Sequence, residues 1–272
     1  MYKFIIAALI TVSGSQFVNA QAMNSEKITD NKLIIYQMMT RLFGNANTTN
    51  KFYGSKDENG VGKFNDISDK ALSELKKMGI SHVWYTGVIE HATMTDYSSK
   101  GIKMDDPDVV KGRAGSPYAI KDYYDVNPDL AVNVENRMKE FEALIARTHK
   151  AGMKVIIDFV PNHVARTYFS DVKPSGVIDL GEKDDKSVAF AANNNFYYLP
   201  GQSLVVPEGY IAGGNDFKHP LKDGKFDEVP AKATGNDVFS SPSINDWFET
   251  VKLNYGVDYQ NNRQEHFDPV PN

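Results

Sequence analysis

One stretch constrains this chain more than any other. A helical pattern stops at Gly152, an extended apolar run Met153-Lys154-Val155-Ile156-Ile157 follows, and the run ends in Asp158-Phe159-Val160-Pro161-Asn162-His163. Glycine ends helices readily, and β-branched side chains suit a pleated strand. An apolar run flanked by helices reads as a strand buried on both faces of a parallel sheet, and ligands of such sheets sit beyond the carboxyl ends of the strands. The polar tip is therefore where chemistry is expected.

The rest of the chain repeats the same unit. Lys32 to Met39 reads as a first strand, and a loop rich in Asn, Gly and Thr runs from about Arg41 to Asn65. Asp66 is the expected cap of a helix whose Ile67, Ala71, Leu72, Leu75 and Met78 share one face, and Gly79 closes it. Ile80 to Thr86 reads as a second strand. A longer loop to about Asn133 precedes a second amphipathic helix with Met138, Phe141, Leu144, Ile145 and Thr148 on its inner stripe. Strand-to-helix connections are long and helix-to-strand turns short. In (β/α)8 barrels the long connections build the active face. No strand is followed by the Gly-x-Gly-x-x-Gly turn of dinucleotide-binding sheets. The expected fold class is α/β, a (β/α)8 TIM barrel. From Val164 onward the texture turns polar, with aromatic clusters such as Phe196-Tyr197-Tyr198 and Trp247-Phe248; runs such as Ser203-Leu204-Val205-Val206 suggest a small irregular β region.

Charge excludes some functions. Lys+Arg 30 against Asp+Glu 35 gives a net −5, with no basic stripe for nucleic acid or an anionic membrane. Cysteine is absent, so neither a disulfide framework nor a thiolate metal site is available. Lys3, the apolar run Phe4 to Val12 and the small-residue end Val18-Asn19-Ala20 have the parts of a secretory signal peptide. That run is too short for a stable membrane span, which takes about 20 residues. The expectation is export to the periplasm or outside the cell, with the mature chain starting near Gln21.

Two motifs carry a family resemblance. Asp158-Phe159-Val160-Pro161-Asn162-His163 resembles the D-x-x-x-N-H tip of strand three in the α-amylase superfamily, glycoside hydrolase family 13. Gly115-Ser116-Pro117-Tyr118-Ala119-Ile120-Lys121-Asp122-Tyr123-Tyr124-Asp125-Val126-Asn127 is similar to the segment after strand two in that family. The resemblance implies that residues 21–163 are the first part of the barrel, carrying its first three strands. It makes 164–272 domain B, inserted after strand three, with the chain ending before strand four. It implies that His163 hydrogen-bonds the sugar beside the scissile bond and that Tyr118 stacks on it. Asp158 and Asp122 would be structural near the site, Asp158 pairing with an Arg near the nucleophile. Asn162 would offer an oxygen to calcium. Lys252-Leu253-Asn254 resembles the neopullulanase-type variant of a further motif, whose relatives carry a calcium-binding Asp where Lys252 stands; a cation there opposes the metal.

Glycoside hydrolysis by a retaining mechanism needs two carboxyl groups about 5 Å apart. The family's G-x-R-x-D nucleophile motif does not occur here, and Gly256-Val257-Asp258-Tyr259-Gln260 lacks both its Arg and its final Asp. A complete barrel takes about 250 residues without insertions, and Asp268-Pro269-Val270-Pro271-Asn272 reads as a loop. The expectation is an exported hydrolase of α-glucans (starch, maltooligosaccharides or cyclodextrins) whose catalytic carboxylates lie downstream, so that this chain alone is inactive. The alternative is a non-catalytic α-glucan-binding protein. A metal-dependent hydrolase is disfavoured, because none of the 6 His falls in an H-x-H or H-E-x-x-H string.

Overall fold

A computed structural model describes residues 32–207, 221–239, 241–261 and 263–264. The signal-peptide reading and the loop reading of the last five residues lie outside them.

The elements along the chain begin with β1 (Ile35–Met39), the one-turn helix α1 (Lys56–Asn59), α2 (Asp69–Lys77) and β2 (His82–Thr86). A pair of strands follows, β3 (Ile89–His91) and β4 (Ile120–Val126), then α3 (Arg137–Lys150) and β5 (Lys154–Ile157). The last strands are β6 (His163–Ala165), β7 (Tyr198–Leu199), β8 (Ala231–Lys232), β9 (Thr250–Lys252), β10 (Val257–Asp258) and β11 (Arg263–Gln264). β1, β2 and β5 form a parallel sheet in that order, with Tyr36 opposite Val83 and Tyr85 opposite Ile157. The helices α2 and α3 join these strands and cover one face.

Side-chain chemistry explains the helix ends and corrects two expectations. Ser68, not Asp66, caps α2, its hydroxyl accepting from Ala71 N at 3.3 Å. Asp66 instead ends a 3-10 turn, where its carboxylate accepts from Lys63 N at 2.7 Å. Leu72, Leu75 and Ile67 are buried as the periodicity requires, but Met78 is the C-cap and faces solvent. On α3, Phe141, Leu144 and Thr148 are buried while Met138 is exposed. Thr148 Oγ1 donates to Leu144 O and lies 2.7 Å from Tyr85 OH, so the sheet and α3 share a buried polar contact. Val83, Tyr85, Phe64 and Leu144 centre the core between sheet and helices.

Two further differences have physical causes. The strand expected to be buried on both faces, β5, is not: Lys154 and Ile157 are exposed and Val155 and Ile156 half-buried. It is the end strand of its sheet, and helices cover one face only. The excursion after β2 is not a plain loop either, since β3 and β4 pair antiparallel with two register shifts. Beyond Val164, β6 pairs with β9 and β7 with β8, both antiparallel. The run 203–206 joins no strand there; Val205 is exposed, and Leu204 turns inward with its N–H on Glu228 O. Among the described residues no helix is long and apolar enough to cross a membrane.

Candidate functional site

The polar tip of β5 clips two strands together. Asp158 accepts from the Trp84 indole N–H at 2.8 Å and from Gly87 N at 3.3 Å, which fixes the carboxyl end of β2 against that of β5. Trp84 and Gly87 are its partners among the described residues. The next residues are held from outside: the Tyr123 and Tyr255 hydroxyls donate to the carbonyls of Val160 and Pro161. The chain then enters β6 at His163, placed opposite Lys252 of β9. The two motifs, far apart in sequence, are neighbouring rungs of one ladder.

His163 is 6% exposed. Burial pushes its pKa below the ordinary value, and the Lys252 ammonium adds to this while the Tyr118 backbone acts in the opposite sense. The imidazole is therefore neutral at neutral pH, able to donate from one nitrogen and accept at the other. Its Nδ1 is buried with no hydrogen-bond partner among the described residues. Leaving such a group unpaired costs about 1–3 kcal/mol. Trp247 packs against the ring with centroids 5.2 Å apart and planes at 53°. Gly235 lies behind it: a Cβ there would sit 3.2 Å from His163 Cβ and 2.2 Å from Thr250 Oγ1.

Tyr118 is 42% exposed and reaches this place on a tightly held loop. The carbonyl of Ala114 accepts from Arg41 Nη1 at 3.1 Å and lies 3.2 Å from His91 Nε2. Gly115 passes so close to β3 that a Cβ would sit 1.7 Å from Ala92 O. Arg41 is itself paired with the buried Asp129 at 2.9 Å. Burial, with Arg41 adding to it, pushes the His91 pKa down to about 4, so this imidazole is neutral and N–H donation to Ala114 O is open to it.

Asp122 lies apart from the exposed wall. It is fully buried, and its carboxylate accepts from Tyr124 N at 2.8 Å and Asp171 N at 3.1 Å; burial raises its pKa. Tyr118 and His163 are thus brought together, Asp158 anchors the strand tips beside them, and Asp122 ties β4 to the segment after β6. Asn162 is exposed, with its carbonyl accepting from Leu253 N at 3.1 Å. Calcium takes six to eight oxygens. Asn162 itself offers one side-chain oxygen, and the Lys252 ammonium stands on the adjoining strand, paired to Asp237 at 2.6 Å. Among the described residues no three His, Asp or Glu side chains converge. These donors do not fit a calcium ion, and no step below runs through one.

Sequence reasoning missed Trp247 as part of the site, although it lies five residues before Lys252; only the β6–β9 register places it against His163. It also missed the charge cluster behind the wall. Lys121 is buried with Asp105 at 3.4 Å and Glu90 at 3.9 Å. Burial pushes Glu90 up to about 8, so it is largely protonated at neutral pH and Lys121 pairs with Asp105.

With this geometry in hand, comparison with known proteins gives a consistent result. The family described as Alpha amylase, catalytic domain, matches residues 37–202. A cyclomaltodextrin glucanotransferase of Geobacillus stearothermophilus is 26% identical over 188 residues, 64% of this chain and 23% of that protein. Another, from Bacillus sp. (strain 6.6.3), is 27% identical over 248 residues, 83% of this chain and 29% of that protein. Maltase A1 of Drosophila melanogaster is 28% identical over 111 residues, 41% of this chain and 15% of that protein. The chain therefore spans at most about a quarter to a third of the length of these curated relatives.

Proposed function

The chain belongs to the α-amylase catalytic-domain family, and from that premise we propose that it supplies the sugar-binding wall of an exported glycoside hydrolase acting on α-glucans. We read β1, β2 and β5 as the first three strands of a (β/α)8 barrel and residues 164–272 as its inserted domain B. The parallel order β1-β2-β5 and the irregular antiparallel pairs after Val164 support this.

One observation carries the functional reading: two motifs from different connections converge, an exposed Tyr118 whose backbone hydrogen-bonds the buried, neutral His163, whose Nδ1 has no partner among the described residues. An aromatic face suits the C–H face of a pyranose, and a neutral imidazole suits hydroxyls, since it both donates and accepts. The relatives bear names of enzymes that act on maltodextrins or maltose-type sugars, which supports the substrate class. In a retaining mechanism the contacts at the distorting ring strengthen in the transition state, while a nucleophile and an acid carboxylate cleave the bond. This chain supplies the contacts, and we place both carboxylates outside its sequence. The Lys3-to-Ala20 pattern supports export, and N-terminal sequencing of secreted material should begin within a few residues of Gln21.

Calorimetric titration of the chain with maltoheptaose tests the reading. Binding should weaken at least about 10-fold in Tyr118→Ala and in His163→Ala, as expected for truncated ring contacts. No reducing ends should form from soluble starch. Unchanged affinity in both folded variants would remove Tyr118 and His163 from the site, and starch hydrolysis by the chain would refute the placement of the carboxylates.

A further inference from the structure

The segment that delivers His163 has no regular structure of its own: residues 158–162 run between β5 and β6 without joining either strand. Pro161 has no N–H to donate, which leaves its carbonyl as its backbone hydrogen-bonding group. Three successive carbonyls of this segment are taken by three different donors. Val160 O accepts from the Tyr123 hydroxyl, Pro161 O from the Tyr255 hydroxyl, and Asn162 O from Leu253 N at 3.1 Å. The last of these continues the β6–β9 ladder, in which His163 stands opposite Lys252, and a main-chain bond of that kind is open to any residue but proline. The two hydroxyls are supplied by tyrosine side chains from elsewhere in the chain.

Both phenols come from places that other contacts hold. Tyr123 lies on β4, the strand that begins just after Tyr118, and its ring packs against Phe159 and Tyr168 with centroids 5.7 and 5.9 Å apart. Tyr255 follows Asn254, which is 1% exposed. Asn254 Nδ2 donates to Ala191 O and to Asn194 O, both at 2.9 Å, and Asn254 N donates to Asn195 O at 2.7 Å. On the other side of Tyr255, Gly256 N donates to Asn254 Oδ1 at 2.8 Å. Burial raises the pKa of both phenols above the ordinary value, so each stays protonated and able to donate at neutral pH.

We propose that Tyr123 and Tyr255 are positioning residues for His163: their hydroxyls fix the segment that leads into β6, so that the imidazole is set in place for the sugar, and neither hydroxyl touches the sugar itself. The proposal deepens the α-glucan reading and rests on it. Without the hydroxyls, the carbonyls of Val160 and Pro161 turn to water and the segment gains conformations that misplace the ring, which is two residues from Pro161. A binding group held loosely loses affinity because its geometry must be restored on each encounter. Tyr123 also ties the strand that follows Tyr118 to the segment that precedes His163, so one hydroxyl keeps the two members of the wall in register.

Tyr→Phe keeps each ring and removes only the hydroxyl. By calorimetry on the full chain, Tyr123→Phe and Tyr255→Phe should each weaken maltoheptaose binding about 5-fold, on the scale of one ordinary hydrogen bond. In a His163→Ala background neither should weaken it further by more than about 2-fold, because a residue that acts through His163 has nothing left to act on. Proton NMR gives a second readout. The His163 imidazole, assigned by its loss in His163→Ala, titrates below the ordinary value when buried, and in both Phe variants its titration should move up toward that value. Far-UV circular dichroism confirms folding; if Tyr123→Phe is unfolded, Tyr255→Phe, whose ring is 44% exposed in the wild type, decides alone. If the wild type binds maltoheptaose but the Phe variants bind it equally well, weaken it as much in the His163→Ala background, or leave the His163 titration unmoved, the positioning role is overturned and the α-glucan reading stands. If the wild type does not bind maltoheptaose, the α-glucan reading itself falls, and the positioning role with it.

Discussion

Replacing Gly115 by Ala tests how the Tyr118 loop is held. Gly115 has φ +72°, and a Cβ there would lie 1.7 Å from Ala92 O. The left-handed conformation costs a non-glycine residue about 1–2 kcal/mol. The clash adds to this because Ala92 cannot retreat: its own N–H donates to Ala119 O at 3.0 Å, in the pairing of β3 with β4. The loop must therefore lift, losing the contacts of Arg41 and His91 with Ala114 O, each worth about 1 kcal/mol. Together these give about 3–4 kcal/mol, a large part of the roughly 5–15 kcal/mol that holds a domain folded. Gly112 supplies the control, since it has φ +66° and a Cβ added there would meet nothing within 4 Å. Gly112→Ala should cost only the conformational part, about 1–2 kcal/mol. Urea unfolding followed by far-UV circular dichroism measures both, and maltoheptaose calorimetry on folded Gly115→Ala should show weakened binding as Tyr118 is displaced. Equal destabilisation by the two substitutions would refute the close approach at Ala92.

Two further perturbations address the charge cluster behind the wall. Lys121→Met removes the partner of Asp105, whose carboxylate also accepts from Thr93 N at 3.0 Å and Thr167 Oγ1 at 2.7 Å. Urea unfolding should show a loss of about 3–5 kcal/mol, the range for breaking a buried pair; a loss below about 1 kcal/mol would show that the pair is not what stabilises Asp105. Glu90 has its folded pKa raised by burial to about 8, above the 4.5 of the unfolded chain. The folded state then binds a proton that the unfolded state releases between those values, so its stabilising contribution is complete below pH 4.5 and is lost as pH rises toward 8. Stability measured across that window should fall in the wild type relative to Glu90→Gln; parallel profiles would mean that Glu90 titrates normally.

The sheet was legible because its strands are short apolar runs bounded by a glycine or a polar tip, and α3 because Phe141, Leu144 and Thr148 repeat at helical spacing. Strand ends were less legible. Ile34 and Ser81 read as strand residues, yet the Ser81 hydroxyl closes that end by accepting from Ile34 N and donating to Ile34 O, both at 3.0 Å. The cap of α2 was misplaced because Asp66 and Ser68 are both good cap residues, and the choice depends on the 3-10 turn that engages Asp66 first. The motifs carrying Tyr118 and His163 were legible in the sequence, and the fold brings the two residues together. Trp247 was not, since its role depends on a pairing between strands more than 80 residues apart, and no local pattern encodes that register. The buried Lys121 was hidden for a related reason: it falls in a stretch that reads as a loop, and a lysine there reads as solvent-facing until its carboxylate partners are in place.

Arg166 gives the wall a place in the order of folding. The fully buried guanidinium donates to Phe248 O at 2.6 Å across 82 residues and to Thr250 O at 3.2 Å across 84. These contacts close the long loop between β6 and β9, and closing a loop of that size costs chain entropy before the contacts return anything. Tyr118 reaches its loop within the first half of the chain, whereas Trp247 meets His163 only once β9 has docked. Loop-closure entropy therefore makes the Trp247–His163 contact a late step relative to the parallel sheet and its helices.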